Sequence, residues 1–346
     1  MALTTGTAFT TGTALTQAQR DKAAWLSVYA GVAEGLLAVA DASGTAPPSL
    51  NDTPLEVCWE TLWQFRADDD PELLQLLQRV FGINQSNCFY GLLLRCTAAQ
   101  ADLGYVPGDL LAIIRGTCTT EEWIDNFNVF FAQDQTTIHP QAGLVSDGFY
   151  TIYKSMVAWD TAGRLVGPAA PALAALLKPG GPRLTIVGHS LGSALTSYLA
   201  FDIADVLRNG GQANIPARLR LLDCCLIACP NPGNDTYAAG FQSAVPSYTV
   251  IDWYLDIVPK LPPAPYARLR DGGTGTPAQT VTVLTAQDVS WVPLNSPVCN
   301  HHAVSYSLML NPLNVVAVAQ MAALNCAPIP RPPAAPAPQP AVPAAG

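Results

Sequence analysis

Charge is scarce in this sequence. Only 12% of the residues are Asp, Glu, Lys or Arg, which is about half the share of an ordinary soluble domain. The 17 basic residues against 26 acidic ones give a formal net charge of −9. The low share of charged residues excludes a charge-rich disordered chain, and the 49% of apolar residues is enough for a large core. The acidic balance leaves no electrostatic footprint for nucleic acid or for an anionic membrane.

Long uninterrupted apolar runs are missing as well. The best candidate for a transmembrane segment, Ala23–Ala40, contains Glu34 and is diluted by alanine and glycine, so it predicts a packed helix and no transmembrane segment. A secretory signal needs a basic start, but the first basic residue is Arg20. Ala38-Val39-Ala40 could mimic a cleavage site. The localisation stays open between the cytoplasm and export by a route without such a signal.

Cysteine pairs at zinc-finger spacing are absent, although the chain has nine cysteines. Three of them, Cys224, Cys225 and Cys229, stand in an apolar run typical of a buried strand, which favours small buried side chains in a core. An odd count leaves at least one thiol free, so the disulfide state and the redox compartment stay open. No cluster of metal ligands is visible, and we expect neither a metal nor a cofactor.

Composition divides the chain into four segments. The first is a flexible low-complexity start that contains Thr-Thr-Gly-Thr-Ala twice; a helical extension packed on the core, a catalytic domain and a disordered tail follow. Eight of the 30 prolines lie in the tail, where Pro and Ala favour extended chain over a packed core. The low-complexity start is 1–15, the helical extension 16–87, the catalytic domain 88–326 and the disordered tail 327–346. The helices predicted in the extension are 16–41, Pro54–Ala67 and Pro71–Phe81.

Helical and strand patterns alternate from Cys88 onward. The runs that follow are a pair of strands over 88–98 and 109–117, a helix near 148–160, a strand at 184–188, a helix at 190–208, and strands at 217–228, 247–251 and 279–286. This alternation predicts an α/β fold, with a mostly parallel central sheet and helices on both faces.

The most specific motif lies between the strand and the helix near residue 190. An apolar strand, Leu184–Val187, leads into Gly188-His189-Ser190-Leu191-Gly192, and a helix with one apolar face follows. Strand, G-x-S-x-G and helix together are typical of the nucleophile elbow of the α/β-hydrolase fold. The sequence therefore predicts Ser190 as a catalytic nucleophile.

A serine hydroxyl needs a base, and only four histidines are present. In this architecture the acid and the histidine follow the serine along the chain, which leaves His301 and His302. Eight aspartates lie between Ser190 and this pair. Asp256 ends a strand-like run, where parallel sheets place functional groups, and Asp252 within that run is its rival.

Four separated motifs resemble the class 3 lipases, the fungal-type triacylglycerol lipases and their relatives, over about residues 88–325. They are Ile113-Ile-Arg-Gly-Thr117, which resembles a strand ending in Arg-Gly-Ser/Thr; the elbow Gly188–Gly192; Pro230-Asn-Pro-Gly-Asn234, in which Asn231 and Pro232 depart from the family pattern; and Asp256-Ile-Val-Pro-Lys-Leu-Pro-Pro263.

The resemblance implies a role for each matching residue. Ser190 would be the nucleophile and Asp256 the acid. The base would be His302, since the family histidine often precedes a tyrosine by four residues, as His302 precedes Tyr306; His301 stays the alternative. The predicted oxyanion donors are Thr117 and Leu191. Trp123 would mark a lid, either moving or fixed.

The implied activity is serine-dependent hydrolysis of carboxylic esters such as acylglycerols, through an acyl-enzyme. The partner is then the lipid or other ester substrate, with transient contact to a lipid interface. A phospholipase or galactolipase of the same fold is the alternative. Acyl transfer and a non-catalytic scaffold of the α/β-hydrolase fold are further possibilities, but the intact serine, acid and histidine argue against the scaffold. Natural substrate, acyl-chain length and oligomeric state are not fixed by the sequence.

Overall fold

The structure is a computed structural model of the 346-residue chain. It describes residues 14–43, 49–68, 88–116, 135–137, 143–210, 213–271, 278–293, 296–323, 326 and 329–330.

Fifteen strands, nine α-helices and two short 3-10 helices, Ala101–Leu103 and Val258–Lys260, are present in the described residues. The strands are β1 (Trp59–Ala67), β2 (Cys88–Cys96), β3 (Leu110–Ile114), β4 (Gln135–Thr137), β5 (Leu144–Ser146), β6 (Val157–Asp160), β7 (Leu165–Pro168), β8 (Leu184–His189), β9 (Leu222–Ile227), β10 (Gly233–Asn234), β11 (Tyr248–Trp253), β12 (Tyr266–Ala267), β13 (Gln279–Leu284), β14 (Trp291–Val292) and β15 (Ile329–Pro330). The α-helices are α1 (Gln17–Ser43), α2 (Asp147–Lys154), α3 (Ala169–Leu176), α4 (Leu191–Asn209), α5 (Ile215–Leu219), α6 (Asp235–Ala244), α7 (Pro297–His301), α8 (Ala303–Leu310) and α9 (Val315–Ala323).

One large sheet organises the molecule. Its strand order is β13-β11-β9-β8-β3-β2-β1-β6-β7. The pairs from β13 to β3 are parallel, and the pairs from β3 to β7 are antiparallel. The predicted α/β-hydrolase-type fold is confirmed, with a mixed sheet whose parallel half brings the carboxyl ends of β3, β8, β9 and β11 to one edge, the usual place for function in such sheets.

Both faces of this sheet are covered by apolar packing, because successive side chains of a strand point to opposite faces. Ile186 of β8 belongs to the core under α4, whereas the next residue, Val187, belongs to the core under α1 and α8. All six residues of β8 are buried, as expected for a strand between two helical layers.

Helix α1 packs on the face of the sheet that α8 also covers. It forms over the predicted range and is continuous for 27 residues. By length and composition it could also cross a membrane, but 61% of the qualifying stretch is buried. Leu26, Val28 and Leu37 pack into the core against α8, which is how a long amphipathic helix of a globular fold behaves.

Three predicted elements differ from the structure. The helix predicted over Pro54–Ala67 is wrong, since residues 59–67 form β1, which pairs with β2 and β6. The large side chains at every second position, Trp59, Trp63 and Phe65 among them, suit a strand. Pairing with neighbouring strands therefore outweighs the proline that favoured the start of a helix. The predicted helix near 148–160 ends at Lys154, and β6 follows. The predicted strand 217–228 begins as α5 and becomes β9 at Leu222. The predicted helix Pro71–Phe81 lies outside the described residues.

The C-terminal part is tied to the domain by covalent and strand contacts. Cys299 and Cys326 form a disulfide with Cα atoms 5.4 Å apart, which the spacing of the cysteines does not predict. The predicted disordered tail starts at 327, but Ile329–Pro330 pair with β14; 331–346 lie outside the described residues. Of the six described free cysteines, five are buried, in agreement with the expected core role.

Candidate active site

Ser190 sits on a strained turn between β8 and α4. Its φ of 56° and ψ of −129° lie in a region that non-glycine residues rarely adopt. The turn is tight: a Cβ on Gly188 would meet the backbone of Gly192, and a Cβ on Gly192 would meet the carbonyl groups of Ile114 and Arg115. Strain of this kind concentrates at functional sites, and it is the geometry of a nucleophile elbow.

Three side chains from distant parts of the chain meet at this turn. His301 Nε2 lies 2.8 Å from Ser190 Oγ, and His301 Nδ1 lies 2.8 Å from Asp256 Oδ2. The carboxylate only accepts hydrogen bonds, so Nδ1 donates to it, and the tautomer with its proton on Nδ1 lets Nε2 accept from the Ser190 hydroxyl. Ser190, His301 and Asp256 thus have the mutual geometry of a Ser-His-Asp triad.

His302, the base preferred from the sequence, lies elsewhere. Its Nδ1 accepts the Val304 N–H at 3.2 Å, and the residue caps the N-terminus of α8. Burial lowers the pKa of His302 to about 4, so its ring is neutral at pH 7. The choice of His302 over His301 is therefore corrected: the chain turns between α7 and α8 at this pair, and the five-residue spacing from His301 to Tyr306 replaces the expected four.

Asp256 is fully buried and accepts hydrogen bonds from several donors. Besides His301, the Tyr306 hydroxyl donates to Oδ2 at 2.8 Å, and the Val258 N–H donates to Oδ1 at 3.0 Å. Tyr306 in turn accepts the Trp253 N–H at 3.0 Å. A buried carboxylate needs such partners, and here they fix the orientation of the Asp256 carboxylate toward the His301 imidazole.

The rival acid, Asp252, is engaged on another side. Its carboxylate pairs with Arg268, and its Oδ1 accepts the Cys229 N–H at 3.1 Å. Burial raises the pKa of Asp252 to about 6, although the nearby Arg268 opposes the rise. Asp252 thus ties β11 to the chain that follows β9, and the structure does not bring it to His301.

Removal of the Tyr306 hydroxyl tests the support of Asp256. We expect Tyr306→Phe to lower kcat about tenfold with little change in KM, because one of the hydrogen bonds that orient the carboxylate is lost while the ring stays. Tyr248→Phe is the matched control, since that buried hydroxyl donates to the Arg270 carbonyl. Steady-state kinetics of both variants on a soluble ester measure the difference; equal rates would contradict this role of Tyr306.

Of the two predicted oxyanion donors, the structure describes Leu191. Leu191 is the first residue of α4, and the first amides of a helix have no partner within it. Its N–H is therefore available beside Ser190. Thr117, the second predicted donor, and Trp123, the predicted lid residue, lie outside the described residues. The structure describes the strand that leads to Thr117 only as far as Gly116.

Arg115, just before Gly116, is held by helix α1. Its guanidinium is buried, lies 2.7 Å from Asp41 Oδ2 and also donates to the Phe89 carbonyl. The Phe89 N–H donates to Asp41 Oδ1 at 2.8 Å. A buried guanidinium requires an opposite charge and acceptors, so the end of α1 fixes the end of β3.

His189, the residue before the nucleophile, is buried beside the turn and is bonded at both ring nitrogens. Nδ1 lies 2.7 Å from Glu34 Oε1 of α1, and Nε2 lies 2.7 Å from the His301 carbonyl oxygen. Sequence reasoning treated Glu34 only as a break in an apolar run. That break is itself the signal of a role for Glu34, because a single carboxylate on an apolar helix must have a partner if it is buried.

The departure at Asn231 has a structural role. The Asn231 side chain donates to the Pro262 carbonyl at 2.8 Å, and its N–H donates to the Leu261 carbonyl at 2.7 Å. The loop after β9 thereby holds the far end of the segment that begins at Asp256. Among the described residues, no group of three or more His, Cys, Asp and Glu is placed to hold a metal ion.

Comparison with known proteins identifies a family that this chain matches. Residues 111–266 match the class 3 lipase family. The resemblance noted in the sequence is thereby confirmed, and the match covers β3, the elbow, the Asn231 loop and Asp256. It supports ester hydrolysis of the lipase type. None of the curated proteins compared with the chain matches it.

Several solved lipase structures resemble this one. The M37 lipase crystal structure is 18% identical, with 89% of this chain and 94% of that chain covered and a TM-score of 0.50. The lipase from Rhizopus microsporus var. chinensis is 18% identical over 83% and 86%, with a TM-score of 0.47, and lipase II from Rhizopus niveus is 19% identical over 78% and 85%, with a TM-score of 0.46. At such identities, the likeness to the M37 enzyme shows the lipase-like fold alone.

Proposed function

We propose that this protein is a serine carboxylic-ester hydrolase that cleaves acylglycerols or similar lipid esters. The observation that carries the proposal is the chain of two 2.8 Å contacts, from Ser190 Oγ through His301 to Asp256, on a strained elbow. A lone serine is a poor nucleophile, whereas a serine hydrogen-bonded to an oriented imidazole is an activated one.

The chemistry follows from the proton positions. His301 Nε2 takes the Ser190 proton as Oγ attacks the ester carbonyl, and the imidazolium is stabilised by Asp256 at Nδ1. The oxyanion is held by the Leu191 N–H and by the Thr117 donor groups. When the tetrahedral intermediate collapses, His301 returns the proton to the leaving alcohol. Water then attacks the acyl-enzyme by the same sequence and releases the acid.

An ester panel tests the function and its alternative. The purified chain is assayed on p-nitrophenyl esters of increasing acyl length, on triglyceride emulsions and on phospholipid or galactolipid vesicles. We expect hydrolysis of the simple esters and the triglycerides, and a fluorophosphonate probe should label the protein once per chain. Preference for the vesicle lipids would favour the phospholipase or galactolipase alternative. A protein that neither labels nor hydrolyses any of these esters would be the non-catalytic scaffold.

Thr117 tests the proposed oxyanion hole. Thr117→Val keeps the shape and the N–H but removes the hydroxyl, whereas Thr117→Ser keeps the hydroxyl. If the hydroxyl binds the oxyanion, the valine variant should lose about 10²–10³-fold in kcat, roughly 3–4 kcal/mol, with KM little changed because the contact forms mainly in the transition state. The serine variant should keep most of the rate. A valine variant within about threefold of wild-type kcat contradicts the role.

A further inference from the structure

Helix α1 brings a carboxylate into the catalytic centre. Glu34 has a side chain only 19% exposed, and two bonds end on its Oε1: the one from His189 Nδ1 at 2.7 Å and the one from the Gly116 N–H at 3.0 Å. The Cβ that Gly116 lacks would lie 2.9 Å from Glu34 Oε1 and 3.1 Å from Ser190 Cβ. Glu34, Gly116 and Ser190 therefore crowd into one small volume.

The His189 ring has an acceptor at each nitrogen. A carboxylate oxygen faces Nδ1, and the His301 carbonyl oxygen faces Nε2. Neither acceptor can donate, so both contacts are hydrogen bonds only if both nitrogens carry a proton. The geometry is that of an imidazolium paired with a carboxylate, and charge-assisted bonds of this kind are shorter and stronger than neutral ones.

We propose that Glu34 is a positioning residue of the hydrolytic site: through a doubly protonated His189 it holds the backbone of the base His301, and through the Gly116 N–H it holds the strand end that leads to Thr117. The proposal rests on the function proposed above. It gives α1 a part in catalysis, and it extends the site beyond the residues that the serine, histidine and acid motifs provide.

The charges around the pair agree with this arrangement. Burial alone would lower the pKa of His189, but Glu34 and the His301 carbonyl raise it above its ordinary value. Burial would raise the pKa of Glu34, but His189 and the Gly116 N–H hold it below its usual range. The other ionisable groups facing the pair are Asp256, His301 and His302. Both shifts favour the charged form, the imidazolium of His189 and the carboxylate of Glu34.

The pair also acts on the base directly. The rings of His189 and His301 lie 4.8 Å apart, tilted by 36°. The His189 Nε2–H also binds the carbonyl oxygen of His301. A base must stay within hydrogen-bond reach of its nucleophile to be effective, and a displacement of about 1 Å can cost about 10²-fold in rate. A buried ion pair at this place holds the His301 main chain at a point that Asp256 and Tyr306 do not contact.

Glu34→Gln is the decisive variant, because both bonds end on one oxygen that the amide retains. Shape and acceptor are kept, and only the charge is lost. With the imidazole nitrogens labelled by ¹⁵N, the four histidines are assigned by replacing the other three one at a time. We expect both His189 nitrogens to be protonated at pH 7 in the wild type and only one in Glu34→Gln. On a soluble ester, kcat should fall about tenfold in Glu34→Gln and further in Glu34→Ala, with KM within about threefold.

Two control variants separate this role from simple loosening of the fold. Asp41→Asn weakens another anchor of α1 but should leave His189 doubly protonated. Glu60→Gln removes a carboxylate from the exposed ion pair with Arg95 and should change neither readout. A single protonated nitrogen on wild-type His189 at pH 7 would overturn the proposal, and so would a Glu34→Gln kcat equal to that of Glu60→Gln. Absence of ester hydrolysis in the wild type would instead reject the proposed function, and the wild-type spectrum would still decide the ion pair.

Discussion

Ser190→Ala is expected to abolish ester hydrolysis and fluorophosphonate labelling while the protein stays folded. Without the hydroxyl no acyl-enzyme forms, and removal of a triad nucleophile typically costs roughly 10⁴–10⁶-fold in kcat. The alanine should fit, because Ser190 is buried and the change removes one oxygen. The measurement is kcat on a soluble ester together with covalent labelling by a fluorophosphonate probe.

A nearby serine in the first turn of α4 controls for local damage. Ser193 is also buried, and its hydroxyl is placed to donate to the Gly188 carbonyl at 2.7 Å or to the Ile227 carbonyl at 2.8 Å. Ser193→Ala should cost stability of about 1–3 kcal/mol, since it leaves buried polar groups without their partner, but it should still be labelled. Wild-type turnover in a folded Ser190→Ala variant would reject the triad.

The predictable part of the fold is the part with strong local signals. A buried apolar strand followed by G-x-S-x-G and a helix specifies β8 and α4, because apolar periodicity and the tight turn agree there. Residues 54–67 carry the opposite lesson. The segment starts with a proline that suits the first turn of a helix, but it forms a strand because it pairs with β2 and β6. This pairing depends on residues far away in the chain, so the local sequence does not reveal it.

Those site residues could be predicted that are marked by their residue type and by their order along the chain. Ser190 and Asp256 follow from the elbow and from a strand end, and the structure brings them together. Glu34 could not be placed, because its partner His189 lies 155 residues away and only the packing of α1 on the sheet joins them. The choice within His301-His302 depended on where α7 ends, and helix ends are the least certain feature of a sequence.

The adjacent histidines give the sharpest second test. His301→Asn should lower kcat by roughly 10⁴–10⁶-fold, because no group is left to take the Ser190 proton. His302→Asn should leave kcat within about threefold. Asparagine is a good N-cap, so it can still accept the Val304 N–H that His302 Nδ1 accepts now. Identical substitutions at neighbouring positions then report on the two roles.

Stability measurements separate the two positions further. His302→Ala removes the cap of α8 and should lower the free energy of unfolding by about 1 kcal/mol, a loss that His302→Asn should largely avoid. Thermal or denaturant unfolding of the folded variants measures this, beside kcat on one soluble ester. His302→Asn inactive with His301→Asn active would return the base to His302. The contact of His301 Nε2 with Ser190 Oγ at 2.8 Å leads us to expect the opposite order.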